Sequence, residues 1–76
     1  MNVEQEEIFS IVVSTGVSVD VSTIKDDTIL SEIGIDSLEM MDVLLKIEEK
    51  FNIKIPDEDI DALNTIDSIV SYLQKL

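Results

Sequence analysis

Ser37 sits between Asp36 and Leu38 in the stretch EIGIDSLEMMDVLLKIEEKF, Glu32 to Phe51, and its hydroxyl is the first candidate for chemistry. A serine acts as a nucleophile when a base takes its proton and a third group orients that base. The chain has no histidine and no cysteine. Asp36 is the neighbouring residue, and adjacent side chains cannot build a triad. Enzymatic attack by Ser37 is therefore rejected. A serine after a capping aspartate is most often just a helix start, and the other reading is a reactive point within a docking surface. The second candidate is the acidic run PDEDID, with Asp57, Glu58, Asp59 and Asp61 close together. A calcium loop needs alternating oxygen ligands, a turn glycine and a closing glutamate, and the glycine is absent here. Acids at a helix N-terminus are the simpler reading. It assigns no metal site and leaves room only for weak, unspecific divalent binding.

The element that presents Ser37 is a helix from Ser37 to about Phe51, with Asp36 as its N-cap. On a wheel of about 100° per residue, Met40, Val43, Leu44, Ile47 and Phe51 fall within an arc of roughly 100°, a core face. Glu39, Asp42, Lys46, Glu49 and Lys50 fill a polar arc. Leu38, Met41 and Leu45 lie outside the core arc, on a second apolar stripe. Ser37 falls between that stripe and the core. Packing under a loop or a short helix is one explanation of the stripe, and docking is the other.

The remaining elements follow from periodicity and caps. Val3 to Thr15 suits a first helix, with Val3, Ile8, Phe9, Ile11 and Val12 as its stripe and Gly16 as its stop. The β-branched residues at 11 to 13 also suit a strand. Val17 to Asp36 lacks sustained periodicity and reads as a long ordered loop, pinned by Val21, Ile24, Ile29, Leu30 and Ile33. Val17, Val19, Val21 and Ile24 as a strand have nothing evident to pair with. A brief third helix runs from about Pro56 to Leu63. The last helix is capped by Asn64 or Thr65 and buries Ile66, Ile69, Val70 and Leu73. The fold class is all-α: a four-helix bundle with one short helix and a long loop between helices 1 and 2. With 76 residues, the chain is one domain, 1–76.

Composition narrows the partners. Seventeen acids against five bases give a formal net charge of -12. That argues against nucleic acid and anionic membrane as partners and favours a basic protein surface or divalent cations. It also predicts modest stability that rises with salt or magnesium, through relief of self-repulsion. No apolar run reaches membrane-spanning length, and the acidic start MNVEQEEIF is not a signal peptide. The expectation is a monomeric cytoplasmic protein. Its core is aliphatic, because aromatics are 4% of the chain and tryptophan is absent.

In these residues the chain resembles the acyl carrier proteins. GIDSLEMMDVLLKIEEKF is similar to the family's segment around its modified serine, Gly-x-Asp-Ser-Leu followed by an acidic and apolar helix. IPDEDIDALNTIDSIVSYL is similar to its Ile-Pro-Asp/Glu third helix and to the opening of its fourth. The resemblance covers the whole chain. Asp-Ser-Leu alone is a weak tripeptide, and its specificity comes from the flanking motifs at this spacing. The resemblance implies 4'-phosphopantetheine attached covalently to Ser37 by a phosphopantetheinyl transferase, with Asp36 and Leu38 as motif neighbours. It implies a thiol that carries acyl groups as thioesters to acyl-transferring and chain-elongating enzymes with basic patches. Leu38, Glu39, Met41, Asp42, Leu45, Glu48 and Glu49 are then the partner-binding face. Met40, Val43, Leu44, Ile47, Ile55, Ile60 and Leu63 are the candidate lining for a sheltered acyl chain. The first helix has no basic residue, Lys46 interrupts the acids of the second, and Ile33 and Ile35 are bulky around the motif glycine. These departures bear on the pathway: fatty-acid biosynthesis, or a specialised carrier of polyketide, peptidyl or unusual acyl groups. An unmodified acidic interaction module is the remaining alternative, and the intact Asp-Ser-Leu speaks against it.

Overall fold

A computed structural model describes residues 2–15 and 21–76. The four helices are α1 (Gln5–Thr15), α2 (Ser37–Phe51), α3 (Asp57–Ile60) and α4 (Ile66–Gln74). Short 3₁₀ turns at Val21–Thr23 and Leu30–Ile33 lie in the connection from α1 to α2. The all-α reading holds, with one short helix. The expected stop at Gly16, and the valines at 17 and 19, lie outside the described residues, as does the Val21 side chain.

The core gathers aliphatic side chains from α1, α2, α4 and the connections between helices. Ile8, Ile11 and Val12 come from α1, Val43, Leu44 and Ile47 from α2, and Ile66, Ile69, Val70 and Leu73 from α4. The β-branched run at 11 to 13 is helical, not a strand. Its tertiary burial outweighs weak helix propensity, and the Ser14 and Thr15 hydroxyls donate back to the Ile11 carbonyl at 2.9 Å each. Val3 is buried but lies before α1, which begins two residues later than expected. The Gln74 amide on α4 holds it there, donating to the Val3 carbonyl at 3.1 Å.

The long connection is pinned mainly through its backbone. Leu30 N–H donates to the Asn64 carbonyl at 2.9 Å, and Asp67 N–H to the Asp26 carbonyl at 2.9 Å. Both bonds tie it to the start of α4. Ile24 and Leu30 are buried, as expected of pins, while Ile33 is half-buried and Ile29 is exposed. Ile35, not among the expected pins, is 1% exposed and replaces Ile29 in the core. Gly34 makes the turn between them at φ 104°, a value that a residue with a Cβ adopts at a penalty.

α3 is four residues long rather than the expected span from Pro56 to Leu63. Beyond Ile60 the chain winds tighter. Ala62 N–H donates to Asp59 and Leu63 N–H to Ile60, both i to i−3 bonds. That winding delivers Leu63 to the core at 2% exposure. No α3 residue is fully buried, so its seat depends on few contacts. One is the Tyr72 hydroxyl on α4, which donates to Asp59 Oδ2 at 2.7 Å. The Asp59 carboxylate accepting that proton raises the Tyr72 phenol above its ordinary pKa, with burial and the charges of Asp59 and Glu58 adding to the effect. A raised folded-state pKa gives stability that is complete below the ordinary phenol value of 10.0 and lost as pH rises through the folded value. Tyr72→Phe should thus cost about 1 kcal/mol near neutrality. Thermal melts should bring wild type and variant together as pH rises past 10.0 and through the raised phenol value. A gap that stays constant across that range removes the hydrogen bond from the account.

Candidate functional site

Ser37 is the first residue of α2, and the local sequence sets its position. Asp36 caps the helix: its Oδ1 accepts from Glu39 N–H at 2.8 Å, and Asp36 N–H reaches back to Glu39 Oε1 at a long 3.4 Å. This is the capping box that the Asp-x-x-Glu spacing allows. The carboxylate does the capping, and no hydrogen bond ties the exposed Ser37 hydroxyl to another described residue. The unpaired first-turn amides and the helix dipole make this end favourable to a phosphate.

Beside Ser37 opens a cleft of ≈ 350 Å³. Leu30, Ile35, Met40, Ile60 and Leu63 make its apolar wall, and Asp36, Ser37, Met41 and Asp61 are on its rim. The cleft therefore joins the start of α2 to α3 and to the pinned connection. Ile35 and Met40 occupy the positions on either side of a capped helix start where a hydrophobic staple forms. That spacing was the available sequence signal for Ile35. Leu30 and Asp61 carried none. Of the expected acyl-chain lining, Met40, Ile60 and Leu63 line this cleft. Leu44 and Ile55 line a neighbouring hollow. Val43 and Ile47 line neither and are sealed in the core at 0% exposure.

The second stripe faces water. Leu38 is 77% exposed, Met41 51% and Leu45 52%, three large apolar side chains along one face of α2. Docking surfaces share this feature of adjacent exposed apolar side chains. Asp42 and Glu49 are exposed beside it. The other acids expected on this face are partly occupied. Glu39 is half-buried and belongs to the capping box. Glu48 is half-buried, and its Oε2 accepts from Ile55 N–H at 2.7 Å, fixing the connection to α3. Lys46, which interrupts the acids in sequence, turns toward α1 and donates to Thr15 Oγ1 at 2.9 Å. Lys50 turns the same way, with its Nζ 3.9 Å from Glu7 Oε2. The two cations serve the α1–α2 seam and leave the outward face acidic. PDEDID forms the first turn of α3, and no cluster suited to a metal occurs among the described residues.

Comparison with known proteins agrees with this geometry. The family described as Phosphopantetheine attachment site matches residues 11–73. The acyl carrier protein of Thermotoga maritima is 35% identical over 75 residues, covering 93% of each chain. That of Rhodococcus erythropolis is 41% identical over 51 residues, covering 67% of this chain but 56% of its own length. The meromycolate extension acyl carrier protein of Mycobacterium tuberculosis is 36% identical, covering 100% of this chain and 70% of its own. An exposed hydroxyl at a phosphate-favouring helix start, beside an apolar cleft, fits the group this family attaches. The chain belongs to the acyl carrier protein family, whose cofactor is 4'-phosphopantetheine and whose members are carriers rather than enzymes.

Proposed function

We propose that residues 1–76 act as one carrier domain, modified on Ser37, that brings acyl groups to the enzymes of fatty-acid or a related biosynthesis in the cytoplasm. The observation that carries the reading is the exposed Ser37 hydroxyl beside an apolar cleft. When attached, the phosphopantetheine supplies a thiol on a long arm, which holds acyl groups as thioesters and keeps them at high local concentration for a docked partner.

The chain's own residues do three things under this reading. Asp36 fixes the start of α2 so that Ser37 projects outward. Leu38, Met41 and Leu45 bury against a docked partner, with Asp42 and Glu49 drawing in its basic patch and Glu39 and Glu48 adding charge from their partly occupied positions. The cleft wall of Leu30, Ile35, Met40, Ile60 and Leu63 shelters an acyl chain from water. The partners are a phosphopantetheinyl transferase and acyl-transferring and chain-elongating enzymes. A specialised carrier of polyketide or peptidyl groups would use the same residues.

Intact mass of the protein purified from its natural host tests the proposal. The expected result is the added mass of phosphopantetheine, with a minor population carrying a further acyl mass that identifies the pathway. An unmodified protein throughout growth would return the chain to the acidic interaction module.

A further inference from the structure

Two hollows border α2 where it faces α3, and they share two side chains. The first is the cleft beside Ser37, ≈ 350 Å³. The second, ≈ 300 Å³, lies further along α2, with Leu44, Leu45 and Ile55 on its wall. Met41 and Ile60 line both. We propose that Ile60 and Met41 form a partition that confines an acyl chain to the first hollow and so sets the chain length this carrier shelters. The inference rests on the reading that a chain carried at Ser37 enters the cleft.

Volume gives the limit. A methylene needs about the room of one water molecule in the liquid, about 30 Å³, so the first hollow of ≈ 350 Å³ holds about twelve. A longer saturated chain must cross the partition or remain in water. The second hollow is a poor refuge. Asp42, Glu48, Lys54 and Asp57 line it, and a hydrocarbon there would strip water from charged groups. Glu48 is also committed to Ile55 N–H at 2.7 Å, which steadies that wall. The two halves of the partition differ in stiffness. Ile60 is β-branched, half-buried and carried on α3, which Tyr72 ties to α4 through Asp59, so it is the fixed half. Met41 is 51% exposed and has an unbranched thioether, so it is the half that adjusts. Ile60 therefore sets the limit, and Met41 tunes it.

The test uses the full chain loaded with saturated acyl groups from about six to about eighteen carbons, read by melting temperature and methyl NMR, with the plateau expected at about twelve carbons. In wild type, the melting temperature should rise with chain length to that plateau, and shifts should stay at Leu30, Ile35, Met40 and Leu63. In Ile60→Ala the rise should continue to longer chains, and the shifts should reach Leu44 and Ile55. Met41→Ala, at a half-exposed position that folding tolerates, should move the plateau in the same direction by a smaller step. Shifts at Leu44 and Ile55 in wild type with the longest chain, or unchanged plateaus in both variants, would overturn the partition while leaving the sheltering role intact. No shift at the cleft methyls with any chain would overturn the sheltering itself, and the partition with it.

Discussion

Ser37→Ala should fold like wild type and take up no phosphopantetheine. The apo protein, a phosphopantetheinyl transferase and coenzyme A should give complete conversion by intact mass for wild type and none for the variant. Folding is spared because the hydroxyl makes no hydrogen bond to another described residue and the helix is capped by Asp36. An alanine at the first helical position is well tolerated. Asp36→Ala separates the two roles: loss of the cap should cost about 1 kcal/mol while the hydroxyl remains. The wild-type loading rate should fall across a salt series, since exposed charges are screened beyond about 8 Å at physiological ionic strength. Mass gain by the alanine variant would move the attachment site elsewhere, and a salt-independent rate would remove steering by the acids of α2.

The second large effect divides the two apolar stripes of α2. Ile47 is 0% exposed, and Ile47→Ala should cost about 2–5 kcal/mol, the removed burial plus the cavity left behind. Leu38→Ala, Met41→Ala and Leu45→Ala should each change stability by about 0.5 kcal/mol or less. The same three should slow loading and acyl transfer several-fold, because partner contact then buries less apolar surface. Urea unfolding and transfer kinetics on the four variants decide the matter. Should Met41→Ala and Leu45→Ala unfold as readily as Ile47→Ala, both belong to the core.

The helices with strong caps and a clear stripe were legible in the sequence. Asp36 and Thr65 each close a capping box, and Ile66, Ile69, Val70 and Leu73 are all buried as the spacing demands. The exposure of Leu38, Met41 and Leu45 was legible for the same reason, since a straight helix fixes the angle between its residues. Where long-range contacts decide, the pattern failed. Nothing in the periodicity distinguishes Ile35 from Ile29, because the choice is made by the Gly34 turn and the Leu30–Asn64 bond. The short α3 was overextended because its end is set by Leu63 reaching the core, not by a stop residue. Glu48 looked like a surface acid, and its engagement with Ile55 seven positions later has no local signature. The cleft beside Ser37 was half legible: Met40, Ile60 and Leu63 came from helical phase together with the family resemblance, while Leu30 and Asp61 arrive by tertiary folding.

The cap at the start of α2 has a consequence for how such a carrier is read by others. Asp36 closes the helix with its own carboxylate, so the proposed modification of Ser37 takes no capping group from the end of α2. Loaded and unloaded forms then share one helix start, and the docking stripe differs between them at Met41. An enzyme that meets this helix start learns only that a carrier has arrived. Under the proposed reading, news of what it carries comes from the far tip of the arm. The order in which enzymes are visited is then decided by which of them retains the cargo once it has been offered. Each unproductive visit is a brief inspection ended by dissociation, and weak, fast-releasing contacts suit that traffic better than tight ones.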